Sequence, residues 1–253
     1  MLRIIKGKDF KTAIYFALVG LIASALTALY QTNILSEDLM QKIIAQVGSI
    51  EVMIIIASLQ GAVLTFIAAF IGLKLARKVN LKLNFIYDRQ AVILSVVLAF
   101  FVALIITGSD RFIFTQYLPY VSEGYNISFI YLAVGLFYGG VIEEVLLRLF
   151  VMSLFVWALR LLFARDEDKE SIPDWIYWIG IFLAAGLFAV LHLPITFQTI
   201  GNSFPVILRC MILNGVGGIA FGYLYWRKGL SYSIVAHATT HIFMQVVLMP
   251  LFF

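Results

Sequence analysis

The sequence predicts an all-α fold: a polytopic transmembrane bundle of seven helices around an intramembrane polar cavity. Three observations predict it. The 253 residues are 62% hydrophobic and only 13% charged, with a mean hydropathy of +1.00. A soluble domain of this length is close to half apolar and a quarter charged. Apolar stretches near the roughly 20 residues that a bilayer core requires recur along the whole chain. Because hydrocarbon satisfies no backbone N–H or C=O, such stretches must be helices. Finally, a few ionisable residues lie inside these stretches, where they are costly and face a cavity or one another.

The apolar stretches run over 12–30, 51–73, 91–107, 128–163, 175–193, 204–226 and 230–252. The first follows a basic arm and passes through Ala23-Ser24-Ala25, a small-residue run of the kind cleaved in signal peptides. Its apolar character continues to Leu29, which favours a retained helix. The fourth stretch is too long for one simple span, at about 54 Å of helix. It must tilt, protrude or break near Gly139-Gly140. A complete break would give eight spans, but it would carry the 165–174 loop, Arg227 and Lys228 to the opposite side. Seven is therefore preferred. The loops at 31–50, 74–90, 108–127 and 164–174 are too short to fold alone, and there is no repeat or soluble domain. The organisation expected is 1–127 as N-terminal helices and 128–253 as the functional core.

Lysine and arginine set the orientation. Residues Arg3, Lys6, Lys8, Lys11, Lys74, Arg77, Lys78, Lys82, Arg89, Arg160, Arg165, Lys169, Arg227 and Lys228 fall on one side, against Lys42, Arg111 and Arg209 on the other. Basic loops stay in the cytoplasm, so the N-terminus is expected there and the C-terminus outside. The net charge of +4 is thus a topology signal and implies no nucleic-acid partner. One cysteine, Cys210, excludes an intrachain disulfide framework.

The chemistry-bearing residues stand in three apolar runs: Ile142–Arg148, Phe188–His192 and His237–His241. Glu144 and Arg148 are four apart on one helix face, the spacing of an ion pair. Glu143 is left without a local partner, and a desolvated carboxylate suits general acid–base work. His237 and His241 also share a face, a spacing that metal ligands use. Position 238 is alanine, so the glutamate of H-E-x-x-H is missing. All three histidines of the chain lie in these runs, which argues for one shared site. Packing alternatives exist for each: a buried Glu144–Arg148 clamp, a hydrogen-bonded core histidine at 192, and a polar helix contact at 237 and 241.

The ordered triplet Glu143-Glu144-x-x-x-Arg148, Phe188-x-x-x-His192 and His237-x-x-x-His241 resembles the CPBP membrane proteins. These comprise type II CAAX prenyl endopeptidases and bacteriocin-processing or immunity (Abi-like) relatives. The resemblance covers about 128–252. It implies an intramembrane endopeptidase acting on a membrane-associated peptide or protein, such as a prenylated CAAX or bacterial precursor peptide, in a bacterial or archaeal membrane. It implies catalytic roles for Glu143 as the base that activates water, His192 as its helper, and His237 and His241 as oxyanion donors, with Glu144 and Arg148 completing the set. The last family position is often Asn, whereas here it is His241. A histidine there leaves zinc binding by Glu143, His192, His237 and His241 as an alternative to metal-independent catalysis, which the resemblance favours. A transporter and a non-catalytic immunity or scaffold protein are the competing classes. One tension follows from the spans as drawn: His192 falls late in its helix and His237 early in its own, about 15 Å apart in depth.

Overall fold

The computed structural model describes residues 2–118 and 128–253, with side chains from Gly7 onward. Among these the chain is helical and contains no strand. Seven helices are long and apolar enough to cross a membrane, as the sequence predicts: Gly7–Ile34, Ile50–Lys78, Arg89–Phe112, Phe129–Phe163, Asp174–Thr199, Phe204–Arg227 and Leu230–Phe252. In chain order α1 is Leu2–Ile34, α2 Glu37–Val47, α3 Ile50–Lys78 and α4 Arg89–Phe112. α5 is the long Phe129–Phe163 span. α6 is Asp174–Leu191, α7 Leu193–Thr199 and α8 Phe204–Arg227. α9 is the Leu230–Phe252 span.

Short polar side chains start several of these helices by accepting orphan backbone N–H groups. Ser36 does so for α2, Ser49 for α3 and Ser128 for α5. Asp88 caps α4 by accepting from the amides of Gln90 at 2.9 Å and Ala91 at 3.2 Å. α2 lies inside the 31–50 stretch, where the sequence predicts a loop. Its apolar residues Leu39, Met40, Ile43, Ile44 and Val47 share a face, but none is buried in the protein. Part of the 108–127 loop, and the boundary drawn at 127, lie outside the described residues.

α5 does not break at Gly139-Gly140. It stays one element, with Gly135–Met152 wound in wide i→i+5 turns. The two glycines instead form a close-packing surface toward α9, since a Cβ on Gly140 would stand 2.8 Å from the Ala238 Cβ. α1 packs along α3, α8 along α6, and α9 against both α5 and α4. The main core joins Ala69 and Leu73 of α3, Val145 and Leu149 of α5, and Ile176 and Ile181 of α6. Leu18, Ile55, Leu59, Phe101, Phe182 and Leu208 point outward. An apolar exterior of this extent belongs to a lipid-facing surface.

The basic residues gather at one end. Arg77 pairs with Asp9, Arg227 Nη1 lies 3.8 Å from Asp174, and Lys228 Nζ lies 3.8 Å from Asp88. Lys78 sits over the Trp157 ring at 4.9 Å and Arg227 over Trp226 at 4.6 Å. Such mixing of cations and indoles is typical of a membrane–water interface. The 79–88 connection also closes this end: the Lys82 and Leu83 carbonyls accept from the Leu230 and Ser231 amides at 3.0 Å each. The last span therefore begins inside protein, with Leu230 fully buried.

Candidate active site

Helix α5 carries the acid pair, and the two glutamates go to different places. Glu144 and Arg148 are buried, 0% and 1% exposed, with Arg148 Nη1 3.3 Å from Glu144 Oε1. That nitrogen has no aligned hydrogen-bond acceptor, while Nη2 reaches the Gly218 carbonyl at 3.5 Å. Two rings complete the cation's surroundings: Phe188 at 4.8 Å and Phe221 at 5.6 Å. Glu144 further accepts from His237 Nδ1 at 2.8 Å. The Ser233 hydroxyl stands between this carboxylate and the Phe221 carbonyl. The geometry at these two residues is that of a clamp joining α5, α8 and α9.

Glu143 turns the other way, into a cavity of about 260 Å³ that Tyr138, His192, Asn214, His237 and His241 also line. Its Oε1 lies 3.7 Å from His192 Nε2 and its Oε2 lies 3.8 Å from His237 Nε2. All six sequence-predicted residues thus converge, four around the cavity and two directly behind it.

A local accident of backbone chemistry sets His192. Pro194 follows, so the helix ends and the His192 amide turns back to the Ala189 carbonyl at 3.2 Å. The Phe188 carbonyl is then free for the histidine's own Nδ1–H, at 2.9 Å. This bond fixes the ring and leaves Nε2 directed at Glu143. It also resolves the depth tension. The span continues past Pro194 as α7 to Thr199, and the Nε2 atoms of His192 and His237 both come within 3.8 Å of Glu143.

His237 is held on three sides. Its ring stacks on Phe221 at 4.5 Å and on His241 at 5.3 Å, and Glu144 receives its Nδ1–H. This changes the role that the residue types alone allow. With Nδ1–H committed to Glu144, His237 Nε2 carries a proton only in the imidazolium form.

His241 lies in a slot cut by two glycines of α5. A Cβ on Gly135 would be 2.6 Å from its Cγ, and one on Gly139 would be 2.6 Å from its Nε2 and 3.6 Å from the His237 Nε2. The Gly139→Ala variant gains about 1 kcal/mol of helix propensity yet must push the His241 ring aside. We expect its thermal unfolding to change little while turnover falls tenfold or more, since small displacements of catalytic groups cost up to about 10²-fold. Unfolding and rate measurements on the same preparation check this.

Ser233, Phe221 and the glycine slot carry no role in the sequence pattern, and Phe188 enters it only as a motif position. The signals were present as Ser233 one turn before His237 and as Gly135-x-x-x-Gly139 on the acid-pair helix.

Among the described residues no set of three or more His, Cys, Asp or Glu side chains is arranged to hold a metal ion. His192 and His237 each have Nδ1 engaged, which leaves Nε2 as the nitrogen facing Glu143.

The fold and cavity define a class: a helical membrane protein with a carboxylate–imidazole site enclosed among its spans. Residues 125–243 match the family model of the type II CAAX prenyl endopeptidase Rce1-like proteins. The resemblance to CPBP proteins is borne out over that segment, which contains all six site residues and stops short of α1–α4. No curated protein and no solved structure matches the chain.

Proposed function

We propose that this chain is an intramembrane endopeptidase that cleaves a membrane-associated peptide using water activated by Glu143. The observation carrying this reading is the Glu143 carboxylate set between two imidazole Nε2 atoms at 3.7 and 3.8 Å on a cavity wall. Neither contact closes a hydrogen bond, so the oxygens keep capacity for a water. Glu143 takes one proton of that water as its oxygen bonds to the peptide carbonyl carbon. His192 Nε2 accepts from the same water and orients it. The tetrahedral oxyanion receives Nε2–H of His241, and of His237 when it is protonated against Glu144. When the C–N bond breaks, the proton on Glu143 passes to the leaving nitrogen. Acid and amine products leave, and Glu143 is again a carboxylate.

The matched family's name points to a prenylated C-terminal peptide, and the apolar bundle suits a lipid-anchored substrate that reaches the cavity through the bilayer. We also assign the basic end to the cytoplasmic face of a bacterial or archaeal membrane, which labelling of a cysteine placed at Asp166 from either side would test. The decisive assay is purified protein in lipid against one peptide with and without its prenyl group, each with and without chelator. We expect cleavage of the prenylated form, unaffected by chelator. Loss with chelator and rescue by zinc would instead make the enzyme metal-dependent. Failure to cleave either form by folded protein would sink the protease reading in favour of an immunity or scaffold role.

A further inference from the structure

Gln245 is fully buried and has no part in the proposed reaction. It lies one turn beyond His241, on the wide-turned stretch Phe243–Leu248 of α9. Stretches of this kind re-aim side chains and are frequent at functional sites. The Gln245 Nε2 lies 3.5 Å from His241 Nδ1, and its Oε1 is buried with no hydrogen-bond partner. A buried polar atom without a partner is costly and calls for a physical explanation.

We propose that Gln245 is a positioning residue that sets the tautomer of His241. An amide NH₂ facing Nδ1 occupies that nitrogen's lone pair, so the proton of the neutral imidazole resides on Nε2. That nitrogen lies over Gly139, on the cavity side of the ring and toward His237 Nε2. The consequence is a neutral ring that donates at Nε2. The two histidines then differ: Glu144 takes the proton of His237 at Nδ1, while Gln245 drives that of His241 to Nε2. The charged and titratable groups nearby are His237, stacked at 5.3 Å, and Glu143, His192, Tyr131, Tyr138 and Arg209 on the same cavity wall. None of these meets Nδ1. Gln245 gives His241 the pH-independent donor character of an amide. This inference rests on the proposed role of His241 as an oxyanion donor.

The test combines a spectroscopic and a kinetic measurement on the full chain in lipid. Ring ¹⁵N shifts assigned to His241 should report the Nε2–H tautomer in the wild type. Gln245→Leu should mix the tautomers or reverse them, as should Gln245→Glu. Gln245→Leu should lower kcat about tenfold to a hundredfold with KM within threefold. In a His241→Asn background, where an amide donates without help, the same change should cost less than twofold. An Nδ1–H tautomer in the wild type would overturn the proposal, since the amide would then be reversed and accepting. Equal losses in the two backgrounds would also overturn it, by reducing Gln245 to packing. If His241→Ala leaves kcat intact, the oxyanion reading fails instead, and the ¹⁵N result still decides the tautomer.

Discussion

Replacing Glu143 with glutamine is expected to abolish peptide cleavage while leaving the protein folded. The amide is nearly isosteric and still fills its place between His192 and His237, but it cannot take a proton from water. General-base catalysis contributes about 10²–10⁴-fold, so the rate should drop by at least about a hundredfold. Stability should hold because Glu143 closes no hydrogen bond in the free protein; its two contacts are 3.7 and 3.8 Å. A carboxylate crowded toward two imidazoles inside a membrane is a group whose neutralisation stabilises as readily as it destabilises. Rates and thermal unfolding of the same lipid-reconstituted sample check both halves. Cleavage within tenfold of wild type would remove Glu143 from the base role. Loss of ion flux in proteoliposomes, with no cleavage by either protein, would move the chain to the transporter class.

How much of this was legible in the sequence depends on range. The seven spans were, because the requirement to satisfy backbone groups in lipid acts locally on every stretch of twenty residues. α2 was not: its eleven residues mix apolar and polar side chains and are far too few to span a bilayer, so the segment carries no transmembrane signal, although Ser36 stands ready to cap it. The identities at the cavity were legible because acids and imidazoles are rare in apolar runs. Their relative depth was not, since straight helices were assumed. Pro194 is visible in sequence, but the bond from the His192 ring to the Phe188 carbonyl is not. The partners of Ser233 and the stack of Phe221, His237 and His241 were illegible for another reason. They are contacts among α5, α8 and α9, and only packing decides which rings face which. Gly139 shows the point most sharply. Read along the chain it was a place for the helix to break; in the fold it is the space that His241 fills.

The adjacent carboxylate should behave in the opposite way, and that contrast tests the division of labour between the two glutamates. Glu144 is the only carboxylate within ion-pair range of Arg148 among the described residues, and both are almost wholly buried. Glu144→Gln leaves a buried guanidinium without a counter-charge, facing a neutral amide, two aromatic rings and one long bond to the Gly218 carbonyl. Removing one partner of a buried ion pair costs about 3–5 kcal/mol, far more than the pair itself contributes. The expected result is therefore a large fall in unfolding temperature, read in the same lipid system where Glu143→Gln moves little. Arg148→Leu alone should cost less than Glu144→Gln, because the stranded carboxylate keeps His237 Nδ1–H at 2.8 Å and the Ser233 hydroxyl. The double variant Glu144→Gln/Arg148→Leu should recover part of the loss, since it strands no charge at all. Its activity should nonetheless stay low, because His237 has lost the carboxylate that orients it. If Glu144→Gln unfolds at the wild-type temperature, the pair is not a clamp. If the double variant regains activity along with stability, Glu144 has no part in holding His237 for the reaction.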